Sequence, residues 1–392
     1  MNKYNFDELI DRSGNSIKWD VAENELPMWV ADMDFKTSPA IIEALNQRVK
    51  HGLYGYCDIN DEWYDAYINW WDRRYDFKME KEWLIFSTGI VPAISSIVRK
   101  ITTPAEKVLI QTPVYNIFFN SILNNGRVPL QSQLVLKDNR YEIDFEQLEK
   151  DLSDPQTSLM ILCNPQNPGG NIWDKDTLAK IGSLCKKYGV KVLSDEAHCD
   201  LTLPDYKYIP FLSVSDECRE VGIACYSPSK TFNVAGIHSA AVAVVEPVLR
   251  HKVWRGLNTD EVAEPNVFAV PMAVAAYNEG EEWLEELRVY LAENRQIVTK
   301  FVEKELPELK VIKGEATYLL WIDCTALKNG GKNIAAFIRK ETGLYLSKGI
   351  QYGEGGEGFL RMNLACPKAR IYDGLERLKE GIKKYQAQEN DI

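Results

Sequence analysis

Ser227-Pro228-Ser229-Lys230-Thr231-Phe232-Asn233 directly follows the apolar run at 222–225, and the fold becomes readable at this junction. A short apolar and β-branched run that breaks into small polar residues reads as a buried strand ending in a turn. Similar runs recur at 108–110, 159–162, 190–193 and 240–245, with helix-like amphipathic segments among them. That alternation signals an α/β architecture, an open and mostly parallel central sheet covered by helices. Sheets of this kind carry ligands at the carboxyl ends of their strands, so the residues just after each run matter most.

The chain has 392 residues, 45% of them hydrophobic, enough for a substantial core and for two domains. Its character changes toward the C-terminus, where a helix-like stretch at 281–306 leads to a strand-like one at 316–322 and a helix near 334–342. The glycine-dense piece at 349–358 reads as a loop. A net charge of -11 and the lack of a clustered basic surface argue against nucleic-acid binding and for small-molecule partners. The eight cysteines (Cys57, Cys163, Cys185, Cys199, Cys218, Cys225, Cys324 and Cys366) form no Cys-x-x-Cys pair, and no histidine stands at zinc-ligand spacing. Buried free thiols and no metal are expected. Residues 1–11 are acidic and polar where a signal peptide would be apolar, and no run reaches the about eighteen apolar residues of a membrane span. A cytoplasmic, reduced setting is expected.

To act as a nucleophile, Lys230 needs a neutral amine, and a partly desolvated pocket lowers a lysine pKa in that direction. Alone, the pattern also describes a solvated surface lysine, so its companions decide. Ser194-Asp195-Glu196-Ala197-His198 follows 190–193 and puts a carboxylate at a second strand's end. There it would keep a ring nitrogen protonated and make a bound heterocycle an electron sink, or cap the next helix. Asn164-Pro165-Gln166-Asn167-Pro168-Gly169-Gly170 follows 159–162 as a stiff turn, whose amide can donate to a ring oxygen.

Thr88-Gly89-Ile90-Val91-Pro92-Ala93, after the strand-like 83–86, opens a helix whose free N–H groups suit a phosphate. Tyr115, after 108–110, would stack on a planar ring or pack in the core. Phe359-Leu360-Arg361-Met362-Asn363 sets an arginine inside an apolar run. That placement suits a bidentate grip on a carboxylate, or a structural salt bridge.

In order and spacing, Gly89, Tyr115, Asn167, Asp195, Lys230 and Arg361 resemble the fold-type-I pyridoxal-phosphate enzymes of the aspartate aminotransferase superfamily. Within it, the chain looks like the MalY/PatB group of cystathionine β-lyases, or C–S lyases. The stretches that carry this closer likeness include Leu26-Pro27-Met28-Trp29-Val30-Ala31-Asp32-Met33-Asp34-Phe35, His51-Gly52-Leu53-Tyr54-Gly55-Tyr56, Thr231-Phe232-Asn233-Val234-Ala235-Gly236 and Arg361-Met362-Asn363-Leu364-Ala365-Cys366-Pro367.

The resemblance implies a large cofactor-binding domain at 49–285 and a small α+β domain at 286–392, joined by an N-terminal segment at 1–48. It implies Lys230 as the Schiff-base lysine, Asp195 at the pyridine nitrogen, Asn167 and His198 near the ring hydroxyl, and Tyr115 on the ring. Gly89, Ile90, Ser227, Ser229 and a second subunit's Tyr56 would hold the phosphate, which implies a homodimer with shared active sites. Arg361, with Ala31 and Asn167, would bind the amino-acid substrate. His198 stands where aminotransferases usually have a tyrosine, and His238 where they often have a phosphate-binding arginine. The implied reaction is α,β-elimination of L-cystathionine or a related S-substituted cysteine to a thiol, pyruvate and ammonia. Amino transfer on the same lysine is the alternative, and a regulatory role through protein contact is a second.

Overall fold

The computed structural model describes residues 3–12, 14 and 16–387. Seven strands form its main sheet: β1 (Leu84–Ser87), β2 (Lys107–Ile110), β3 (Val128–Gln131), β4 (Thr157–Cys163), β5 (Lys191–Asp195), β6 (Gly222–Tyr226) and β7 (Ala240–Val244). Their spatial order is β1-β7-β6-β5-β4-β2-β3. Strands β3, β2, β4, β5 and β6 pair in parallel, whereas β7 runs antiparallel to both β6 and β1. The 240–245 run is therefore the reversed member of the mostly parallel sheet. Its entry at His238 and Ser239, rather than its exit, shares an edge with the carboxyl ends of β4, β5 and β6.

Side chains alternate between the two faces of each strand. Ile85, Val108, Ile161, Leu193, Ile223 and Val242 pack with the helix α1 (Ile90–Ile101) on one face. Phe86, Leu109, Leu162, Val192, Ala224 and Ala241 pack on the other face with Trp63, Trp70 and Trp71. Because both faces are covered, β6 and β7 are buried along their whole length. That explains why they read as continuous apolar runs rather than alternating ones.

A four-stranded antiparallel sheet lies toward the C-terminus and includes β8 (Leu319–Asp323) and its neighbour β9 (Phe359–Asn363). Leu320, Ile322, Leu360 and Met362 join a separate core with Val298, Val302, Ile371 and Leu375. Arg361 lies between two of these residues and so faces the opposite way. The chain's N-terminal part belongs to the same neighbourhood, since Leu26–Pro27 pairs in parallel with Leu344–Tyr345.

Two local readings differ from expectation. The strand expected at 316–322 starts only at Leu319, because Thr317 takes a φ of 69°. The loop expected at 349–358 begins with a helical turn, Gly349–Tyr352. A Cβ at Gly349 would lie 2.1 Å from the Gly356 carbonyl oxygen, so the chain folds back too closely there for any side chain. All eight cysteines are free; seven are buried, and Cys57 is only half-buried. Among the described residues no helix is long and apolar enough to cross a membrane, and no cluster of residues suits a metal ion.

One carboxyl in this core is costly. Glu196 is buried, its Oε1 accepts from Ser194 Oγ at 2.7 Å and from the Phe211 amide at 3.1 Å, and burial pushes it from about 4.5 up to about 8. The folded state thus keeps a proton that the unfolded chain releases. Stability present below the unfolded value is lost as pH rises through the folded one. Glu196→Gln should consequently gain on the parent progressively between about pH 5 and about pH 9, by on the order of a few kcal/mol. Urea melts at both pH values check this, and a pH-independent difference would show that Glu196 is ionised in the fold.

Candidate active site

A cavity of about 250 Å³ opens at the shared strand edge. Strand β4 and the turn after it supply Cys163 and Asn167, and β5 with its exit supplies Asp195, Ala197 and His198. The turn after β6 contributes Ser227, Ser229 and Lys230, and the entry to β7 contributes His238 and Ser239. Gly89 and Ile90 at the start of α1, Tyr115 and Ala31 also line it. Arg361 reaches the site through Asn167, donating from Nη1 to Asn167 Oδ1 at 3.1 Å. Of the residues singled out in the sequence, Tyr56 is not brought in: it is fully exposed and lines none of this cavity.

Lys230 rides on a single helical turn, Pro228–Thr231, fixed at both ends. Ser227 caps it, accepting from the Ser229 amide at 3.1 Å and donating to the Ser239 carbonyl at 2.7 Å. At the other end Thr231 donates to the buried Asp200 at 2.9 Å, which also accepts from Trp70 Nε1 at 3.0 Å. Lys230 Nζ donates to the Ala31 carbonyl at 2.6 Å. Burial pushes its amine down and Arg361 adds to this, while Asp32 and Asp195 pull the other way. A lowered amine pKa is what a nucleophilic or proton-abstracting lysine requires.

The Asp195 carboxylate accepts from the Ala197 amide at 3.1 Å, and burial raises it to about 6 despite that bond and the opposing field of Lys230. Among the described residues no cation is in direct contact with it, and a protonated ring nitrogen would supply one. His198 Nδ1 is buried with no hydrogen-bond partner among the described residues. Burial brings that imidazole down to about 3, so it is neutral and open to a ring oxygen.

Helix α1 starts at Gly89 without a side-chain cap and with no acid in its first turn. Beside Ser227 and Ser229, its free amides suit a phosphate. Tyr115 is braced edge-on by Phe118, with ring centres 5.6 Å apart. These groups fit a phosphorylated pyridine aldehyde, the ligand implied by the family resemblance.

Arg361 is 5% exposed, donates from Nη2 to the Trp29 carbonyl at 2.9 Å, and leaves Nε buried without a partner. Among the described residues no carboxylate pairs with it, so the salt-bridge alternative finds no partner, and its fork suits a bound anion. Several site residues escaped the sequence reading, Cys163 and Ser239 among them. Ala197 lines the cavity from the turn after β5, where its amide donates to Asp195. Tyr318, whose hydroxyl donates to the Ala31 carbonyl at 3.0 Å, left no signal in an apolar strand-like run.

The model of the family described as aminotransferase class I and II matches residues 23–378. The chain is 41% identical over 385 residues to cystathionine beta-lyase PatB of Bacillus subtilis (strain 168), covering 96% of this chain and 100% of that relative. It is 31% identical over 389 residues to Protein MalY of Escherichia coli (strain K12), covering 97% and 99%. The crystal structure of the PLP-bound C-S lyase from Staphylococcus hominis matches with a TM-score of 0.91 at 33% identity, covering 97% of this chain and 98% of that one.

The depressed amine is directly measurable. In the protein freed of any ligand, labelling of Lys230 by a small amine-reactive reagent should reach half its plateau rate below the ordinary lysine value of 10.5. Peptide mass spectrometry across a pH series reads it, and a midpoint at or above that value would mean the amine is solvated.

Proposed function

Since the chain belongs to the class I and II aminotransferase family, we infer that it is a pyridoxal-phosphate-dependent carbon–sulfur lyase. Its reaction is the α,β-elimination of L-cystathionine, or a related S-substituted cysteine, to a thiol, pyruvate and ammonia. The observation that carries this reading is Arg361: an arginine without an acid partner among the described residues, linked through Asn167 to the Lys230 cavity, in a chain alike over 96% of its length to a cystathionine beta-lyase.

In this reading Asp195 faces the pyridine nitrogen, His198 and Asn167 the ring hydroxyl, and Tyr115 the ring. The amides of Gly89 and Ile90 with Ser227 and Ser229 hold the phosphate. Pyridoxal phosphate, when bound, supplies an electrophilic carbonyl and a ring that withdraws electrons from the substrate Cα. Arg361 grips the substrate carboxylate in the place left by its unpartnered Nε, and Ala31 lines the substrate's path. The Lys230 amine removes the Cα proton and the Cβ–S bond breaks, so that the thiolate leaves. Water then converts the three-carbon remainder to pyruvate and ammonia.

The same reading includes a homodimer and a cytoplasmic setting. Leu53, Tyr54 and Tyr56 are exposed apolar side chains on a stretch without regular structure, a combination that suits contact with a second subunit. Tyr56 would then complete the phosphate site of that subunit. The organisation into 1–48, 49–285 and 286–392 belongs to this proposal as well.

Amino transfer uses the same lysine and is separated by one incubation. With cystathionine and no keto acid, the wild type should release pyruvate and thiol in equal amounts, and Lys230→Ala should release neither. Turnover that strictly needs a keto acid makes the protein an aminotransferase. Arg361→Lys keeps the charge but loses the fork, and should raise KM about 10-fold or more with a smaller change in kcat; steady-state kinetics with an unchanged KM would remove Arg361 from the carboxylate site.

A further inference from the structure

The segment at 29–35 lies outside the main sheet, yet its carbonyls are taken up one after another by side chains from elsewhere in the chain. Arg361 Nη2 and Ser347 Oγ donate to Trp29 at 2.9 and 3.0 Å. Asn363 Nδ2 donates to Val30 at 2.5 Å and to Asp32 at 2.7 Å. Lys230 and Tyr318 share Ala31. Asn233 donates to Met33 at 3.0 Å and to Phe35 at 2.9 Å. Two carbonyls two residues apart therefore orient the lysine and the arginine of the site.

The acidic side chains of the same segment enter a buried charge cluster. Asp34, 1% exposed, lies 2.7 Å from Arg12, 3.1 Å from Lys18 and 3.0 Å from Arg370. Trp19 Nε1 adds a hydrogen bond at 3.0 Å. Asp32 pairs with Arg12 at 2.9 Å and with Lys18 at 3.6 Å. Arg12 also donates to the Met33 carbonyl at 2.8 Å, and Lys18 is as buried as Asp34. Burying Asp34 and Lys18 outright, with Asp32, Arg12 and Arg370 partly buried around them, carries a desolvation cost that an apolar cluster would avoid, so net stability is a poor reason for it. Fixed geometry is a better one.

We propose that Asp34 with Arg12, Lys18 and Arg370 is a positioning cluster that holds the segment at 29–35 so that the Trp29 and Ala31 carbonyls orient Arg361 and Lys230. The catalytic meaning of those two residues rests on the lyase reading, but the hold on the segment does not. Asp34 touches neither the cavity nor Lys230 and acts through the backbone between them.

Asp34→Asn keeps the shape and removes the charge. In the cofactor-free protein, amide hydrogen exchange of peptides spanning 29–35 should speed up at least about 10-fold, and the pH midpoint of Lys230 labelling should move. In the loaded enzyme KM for cystathionine should rise by a similar factor, more than kcat falls. Lys36→Ala, which removes an exposed 2.6 Å pair with Glu8 on the neighbouring stretch, should leave all three unchanged. A folded Asp34→Asn protein with parental exchange and labelling overturns the proposal, as does an equal response from Lys36→Ala. If Asp34→Asn does not fold, Arg12→Gln decides by the same readouts, since Arg12 is the more exposed partner. Exchange and labelling that respond in a protein without lyase turnover would sink the lyase reading and leave the positioning cluster standing.

Discussion

The 2.6 Å hydrogen bond from Lys230 Nζ to the Ala31 carbonyl joins parts of the chain 199 residues apart, and the site depends on it. One partner sits on a helical turn at the edge of the main sheet. The other belongs to a segment held by residues of the second sheet, among them Asn363 and Ser347. A neutral amine can donate one such bond and keep its lone pair, whereas an ion pair would favour the charged form. A carbonyl is thus a better anchor than a carboxylate for a lysine that must stay reactive, and two acids, Asp32 and Asp195, act on it through space.

The reversed strand explains how so many polar groups converge. In a wholly parallel sheet, each strand offers one edge to the ligand, and the chain leaves by a crossover helix on a face. Here the chain between β6 and β7 stays at that edge and returns antiparallel, so Ser227, Ser229, Lys230, His238 and Ser239 all line one cavity. The 2.7 Å bond from Ser227 to the Ser239 carbonyl closes this turn on itself. The lysine's helical turn is then pinned from beneath by Asp200 through Thr231. Burial alone would lower the amine pKa anywhere in the core, but this double fixing also aims it.

Much of this was legible in the chain because strand exits are marked by composition. Continuous apolar runs stop abruptly at Asp195, at Asn164 and at Ser227, and an arginine inside an apolar run at 361 stands out. The α/β class and the grouping of Asp195, Asn167 and Lys230 follow from those signals. The reversal of β7 did not, since strand direction leaves no trace in a fully buried run whose period is hidden. Nor did the setting of Trp29, Ala31 and Met33: their carbonyls carry the contacts, and a backbone group has no residue-type signature. Tyr56 is a different case, because its implied role needs a second chain and one chain places it in solvent.

Asp195 shows why site and ligand must be considered together. A carboxyl raised to about 6 by burial gives up its proton less readily than an ordinary one, and the Ala197 amide offsets part of that penalty. A protonated ring nitrogen placed beside it lowers the carboxyl again, and by reciprocity the ionised carboxylate favours the protonated ring. Each group makes the other's charged state less costly, in a cavity whose burial disfavours either charge alone. The neutral His198 nearby avoids a competing cation. Lys230 adds one only in its protonated state, which burial disfavours. Beyond burial, Arg361 is a fixed cation nearby that lowers both Lys230 and His198, which favours their neutral forms beside Asp195.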